Sequence, residues 1–126
     1  MLKILCIDDD EVILALVKSC LEFLEHKVDI CKDPIESIEM VHRNNYDLLI
    51  LDVIMPKVNG FKLLKSISAV SPDMHFVLMS ANMVEDDPMM VKYLDKNANV
   101  YPLKKPFDVN RLYSAVTSVL NIAVSD

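Results

Sequence analysis

Residues 48–60 read LLILDVIMPKVNG: four apolar residues, an aspartate at position 52, and a short loop closing on Gly60. Gly60 is the only glycine in the 126-residue chain. Glycine serves where a backbone needs positive φ or an unobstructed close approach. One placed eight residues after an aspartate is expected to shape a loop around it. The apolar run suits a strand buried on both faces, and Asp52 stands where that strand runs out.

Working outward, the same kind of run recurs at Leu2–Ile7 (LKILCI) and Phe76–Met79 (FVLM). Weaker strands are expected at Lys27–Cys31 and Val100–Leu103. Pro102 marks the latter as a sheet edge, because proline lacks the ladder donor. Helical patterns fill the gaps. Ile13, Leu16, Val17, Cys20, Leu21 and Leu24 share one helical face. Asp33-Pro34 gives a cap followed by proline ahead of Ile35, Ile38 and Val41, and Leu63, Leu64, Ile67 and Val70 follow Gly60. Asp87-Pro88 repeats the cap-and-proline start before Val91 and Leu94, with Asn97 as a stop. Asp108 caps a last helix carrying Leu112, Val116, Val119 and Leu120. This alternation specifies a doubly wound α/β domain around a parallel sheet.

Composition narrows the function classes. Hydrophobic residues make up 52% and charged residues 25% of the chain, as in ordinary globular domains. The net charge of −6 and the lack of a Lys/Arg cluster argue against a nucleic-acid surface. No apolar run reaches the roughly 20 residues of a membrane span. The N-terminus enters a strand directly, without a signal-peptide pattern. Cys6, Cys20 and Cys31 lack metal-type spacing and read as small buried hydrophobes in a reducing compartment, so the expected location is the cytoplasm. His26, His42 and His75 lack ligand spacing and are expected to be structural or surface residues.

In such a sheet, ligands bind beyond the carboxyl ends of the strands. Those ends carry Asp8, Asp9 and Asp10, then Asp52, then Ser80, then Lys104 and Lys105 ahead of Pro106. The second strand ends without a candidate. Carboxylates, a hydroxyl and an ammonium on neighbouring strand ends are the ingredients of a Mg²⁺-assisted phosphoryl site. Magnesium takes hard oxygen ligands and keeps several waters. Phosphoryl transfer needs mainly positioning and charge neutralisation, and an aspartate is a competent nucleophile for it.

IDDD at 7–10, LDVIMPKVNG at 51–60, SA at 80–81 and KP at 105–106 resemble the receiver domain of two-component response regulators. The resemblance covers essentially the whole chain. It implies a flavodoxin-like five-stranded parallel sheet of order 2-1-3-4-5 with five flanking helices. Asp52 resembles the phosphoacceptor. Asp9 resembles the direct Mg²⁺ (or Mn²⁺) ligand and Asp8 its partner acting through water, with the backbone carbonyl of Ile54 completing the set. Ser80 and Lys105 resemble the residues that contact the phosphoryl group, with Pro106 after a cis peptide, while Asp10 caps the first helix.

One departure concerns the fifth strand. Receivers carry an aromatic switch residue three positions before the lysine, and here that position is Pro102. Tyr101 is the switch candidate, one residue early, so an extra residue, as in a bulge, is expected between Tyr101 and Pro106. Either Lys105 or Lys104 is then the active lysine, with Lys105 favoured because it precedes the proline.

The resemblance implies phosphorylation by a histidine kinase or phosphotransfer protein. It also implies a responsive face on the fourth helix, fifth strand and fifth helix, where Lys92, Tyr93, Lys96, Tyr101 and Lys104 would meet an effector or a second copy. The expected unit is a single receiver over 1–126 with no output domain in this chain, a phosphoacceptor rather than an enzyme. Two rivals are an aspartate-nucleophile phosphatase and a phosphorylation-independent pseudo-receiver binding module. The first expects a second carboxylate where this chain has Ile54. The second is set against by the complete acidic group.

Overall fold

The computed structural model describes residues 1–55, 59–81, 88 and 99–124, with side chains through residue 119 in the last helix. Its elements are β1 (Lys3–Ile7), α1 (Glu11–Phe23), β2 (Lys27–Cys31), α2 (Pro34–Arg43), β3 (Leu48–Asp52), α3 (Gly60–Val70), β4 (His75–Ser80), β5 (Val100–Lys104) and α4 (Val109–Val124). The helix expected after Asp87-Pro88, with its stop at Asn97, falls almost wholly outside the described residues. So do Lys92, Tyr93 and Lys96 of the expected responsive face.

The five strands form one parallel sheet in the order β2-β1-β3-β4-β5, as the resemblance implied. Strand alternation divides its side chains between two cores. Leu5, Ile7, Leu49, Leu51, Phe76 and Leu78 pack with Leu63, Leu64 and Ile67 of α3. Ile4, Cys6, Ile50, Val77 and Met79 pack with Leu14, Val17 and Leu21 of α1 and Leu112 and Val116 of α4. Every residue of β3 is buried, which explains its uninterrupted apolar sequence.

The caps follow the sequence. Asp10 Oδ1 accepts from the Val12 N–H at 2.9 Å, and Asp33 Oδ1 from the Ile35 N–H at 2.9 Å. Asp108 Oδ1 accepts from the Arg111 N–H at 2.8 Å. Helical phase is where the sequence reading needs correction. On α1 the buried face is Leu14, Val17 and Leu21, while Leu16 and Leu24 are exposed. On α2 and α3, Ile35 and Val70 are likewise exposed. Apolar residues are dense enough here to satisfy two neighbouring phases, and the packing against the sheet selects one.

The expected bulge in the fifth strand is also absent from the described ladder. Residues 100–104 pair with 76–80 rung by rung, Tyr101 opposite Val77 and Lys104 opposite Ser80. The Lys105 N–H then continues the pattern by donating to the Ser80 carbonyl at 2.7 Å. Pro102 fits because β5 is an edge.

Gly60 is required by close approach and not by positive φ. A Cβ there would collide with the Val53 backbone and stand 2.8 Å from the carbonyl oxygens of both Asp52 and Val53. The Gly60 N–H donates to the Val53 carbonyl at 3.1 Å, fixing the start of α3 against the end of β3. The Gly60→Ala variant is therefore expected to lose about 1–3 kcal/mol of stability, measured by urea denaturation. An unchanged midpoint would show that the loop relaxes freely.

Candidate functional site

Asp52 closes β3 with its side chain almost fully buried. Its Oδ1 accepts from the Ile54 N–H at 3.1 Å, an Asx-type turn that starts the following loop. The loop is pinned from both sides: the Val53 N–H donates to the Met79 carbonyl at 3.1 Å, and Ile54 bridges to Asn59. Asn59 caps α3 by accepting from the Phe61 N–H at 2.8 Å.

Asp8 follows β1 and is wholly buried, while Asp9 and Asp10 are exposed. Asp8 Oδ1 accepts from the Asp10 N–H at 2.9 Å, and its own N–H donates to the Cys31 carbonyl at 3.2 Å. The end of β2 thus contributes a backbone oxygen that orients Asp8. No side-chain signal in the sequence could have revealed it. Carboxylate oxygens of Asp8, Asp9 and Asp52 all lie within 4.8 Å of one another, the arrangement a single hard cation could share.

The Lys105 ammonium reaches into this group, donating to Asp8 Oδ2 at 2.7 Å and to Asp52 Oδ2 at 3.3 Å. Lys104 is exposed at the last rung of β5, so Lys105 is the lysine that meets the carboxylates. The Lys105-Pro106 peptide is cis. Ser80 is buried at the end of β4. By alternation it falls on the Phe76 and Leu78 face of the sheet, whereas Tyr101 packs into the opposite core with Val77 and Leu103. The structure therefore brings together Asp8, Asp9, Asp52 and Lys105. It separates Tyr101 from Ser80 by the thickness of the sheet.

Electrostatics follow from burial. Asp52 is pushed up to about 6, chiefly by desolvation and further by the Asp8 charge; the Ile54 N–H and the Lys105 ammonium oppose the rise. Desolvation acts against the Lys105 charge, but the two carboxylates outweigh it and raise that group, so it remains a cation.

A carboxyl raised in this way favours the folded state when protonated. Its contribution is fully present below the ordinary value of 3.8 and is lost as pH rises through about 6. Without divalent cation, Asp52→Asn is expected to be more stable than wild type by about 1–2 kcal/mol near neutrality, after allowance for solvent screening. The difference should vanish in acid below that window. Urea denaturation across the range checks this; a variant less stable than wild type at neutral pH would refute it.

Among the described residues, no helix is long and apolar enough to cross a membrane. The pattern of the response regulator receiver domain matches residues 4–117. The response regulator MprA of Mycobacterium leprae is 29% identical over 119 residues, covering 94% of this chain and 51% of that protein. The regulatory protein VanRB of Enterococcus faecalis is 32% identical over 119 residues, covering 94% of this chain and 52% of its own. The chain thus spans about half the length of these relatives. A two-component response regulator from Clostridium difficile superposes with a TM-score of 0.84 at 28% identity, covering 96% of this chain and 97% of that one. The fold, the strand-end carboxylates and these matches agree, and the chain belongs to the response regulator receiver domain family.

Proposed function

We propose that Asp52 accepts a phosphoryl group from a phosphohistidine on a kinase or phosphotransfer protein, and that this modification is the signal the domain carries. The observation that carries the proposal is the meeting of Asp8, Asp9, Asp52 and Lys105 at one end of the sheet. In the transfer, an Asp52 carboxylate oxygen attacks phosphorus, a P–O bond forms, and the P–N bond to the donor imidazole breaks. The electron pair leaves with the imidazole nitrogen, which takes a proton from solvent.

The oxygen-only donor set fits a Mg²⁺ or Mn²⁺ ion. Asp9, Asp52 and the Ile54 carbonyl would hold it directly and Asp8 through water. Such an ion neutralises charge on the transferring phosphoryl oxygens. Lys105, held between Asp8 and Asp52, supplies a second positive charge to those oxygens. Ser80, one rung beyond the Asp52–Met79 pair on neighbouring β4, contributes a hydroxyl donor. The Ile54 N–H fixes Asp52 Oδ1, and Oδ2, beside the Lys105 ammonium at 3.3 Å, is the oxygen assigned to the attack.

The acyl phosphate carries roughly −1.5 to −2 of charge in place of the single charge of the Asp52 carboxylate, beside a buried Asp8 that shares the same ammonium. Relief of that crowding would reshape the face that includes β5 and α4, where an effector or a second copy docks. Location in the cytoplasm, where such kinases present their phosphohistidines, belongs to the same reading.

Intact mass after incubation with acetyl phosphate tests it. The expected result is a Mg²⁺-dependent gain of one phosphoryl group in wild type and none in Asp52→Asn. No gain in folded wild type, or an equal gain in the variant, would overturn the assignment.

A further inference from the structure

Beyond Asp52 the chain keeps a strand-like alternation. Val53 and Met55 are buried in the core beside α3, and the Ile54 side chain between them is 59% exposed. Ile54 opposes Asn59 in an antiparallel bridge. The bridge closes through the flanking Gly60 N–H, which donates to the Val53 carbonyl at 3.1 Å. In a pair closed from its flanks, the two opposed residues point their own N–H and carbonyl away from each other. Ile54 therefore turns both groups away from Asn59, and its N–H donates to Asp52 Oδ1 at 3.1 Å.

Asn59 forms the other side of that pair. Its backbone is extended, at φ −72° and ψ 122°, and its Oδ1 accepts from the Phe61 N–H at 2.8 Å. That geometry is an N-cap. The cap ties Asn59 to the first turn of α3, which Phe61 and Leu64 fasten into the core. Helix α3 is thus the fixed body, Asn59 the link, and Ile54 the residue held against Asp52. Asn59 is itself exposed, so core filling does not explain it.

We infer that Asn59 is a positioning residue of the Asp52 site, acting through Ile54. It keeps the Ile54 N–H on Asp52 Oδ1 and so leaves Oδ2 beside the Lys105 ammonium at 3.3 Å. It also fixes the Ile54 carbonyl that the cation would use, and this second part rests on the reading of Asp52 as a Mg²⁺-dependent phosphoacceptor. A cap that served α3 alone would change the stability of the fold and leave Ile54 and the cation untouched.

Amide hydrogen exchange by NMR on the metal-free chain, joined to calorimetric titration with magnesium chloride, tests the inference. In Asn59→Ala the Ile54 N–H is expected to exchange about fivefold faster, the scale of one lost cap. The Asp10 N–H, which donates to Asp8 Oδ1 at 2.9 Å, should keep its wild-type rate. Mg²⁺ affinity should fall by a similar factor. Asn59→Ser, which keeps a capping oxygen without adding charge, should restore both readouts. Asn44→Ala is the control: the Asn44 side-chain amide donates to the Met40 carbonyl at 2.9 Å, at the end of α2. Its loss should leave Ile54 exchange unchanged. An unchanged Ile54 rate in Asn59→Ala, or an equal acceleration in Asn44→Ala, would overturn the inference. So would an Asn59→Ala chain that binds Mg²⁺ as tightly as a wild type that binds it. Wild type that binds no Mg²⁺, with Ile54 exchange responding as stated, would refute the cation reading and uphold the positioning of Asp52.

Discussion

The Lys105 ammonium, 2.7 Å from Asp8 and 3.3 Å from Asp52, is the contact on which the site depends. Two carboxylates so deeply buried would be costly if both were charged and unpaired. Among the described residues one ammonium offsets part of that cost and leaves the pocket short of positive charge. The deficit shows in Asp52, held near 6, while its partner lysine is pushed upward. A pocket in this condition gains from any added cation, and its exposed third carboxylate, Asp9, is the group best placed to meet one. The chemistry proposed for the domain grows from that imbalance.

The parallel sheet delivers the imbalance. Adjacent strands β1 and β3 end level with each other, so Asp8 and Asp52 meet without long loops, and the edge strand β5 carries Lys105 to them. Backbone contacts hold the group rigid. The Cys31 carbonyl fixes Asp8, the Ile54 N–H fixes Asp52, and the Val53–Gly60 contact allows α3 to begin immediately beside the site.

Much of this was legible in the chain. Buried strands declared themselves as apolar runs, and carboxylates at their ends needed only the rule that such ends face the ligand. Asp10, Asp33 and Asp108 cap helices as their positions suggested. Helical phase was not legible, because Val12, Ile13, Leu14, Leu16 and Val17 satisfy several faces and only contact with the sheet chooses Leu14 and Val17. The choice between Lys104 and Lys105 depended on where strand pairing stops, and the expected bulge dissolved once Lys104 was seen opposite Ser80. Tyr101 illustrates the same limit: one residue of register moves a side chain across the sheet. The Cys31 carbonyl reaches Asp8 through backbone pairing that no motif marks.

A carboxyl ¹³C titration of Asp52 by NMR reports whether this residue sits in a charge-deficient pocket. Without divalent cation the predicted midpoint is about 6, moving downward when Mg²⁺ is added. A midpoint at the ordinary value of 3.8, insensitive to Mg²⁺, would contradict it.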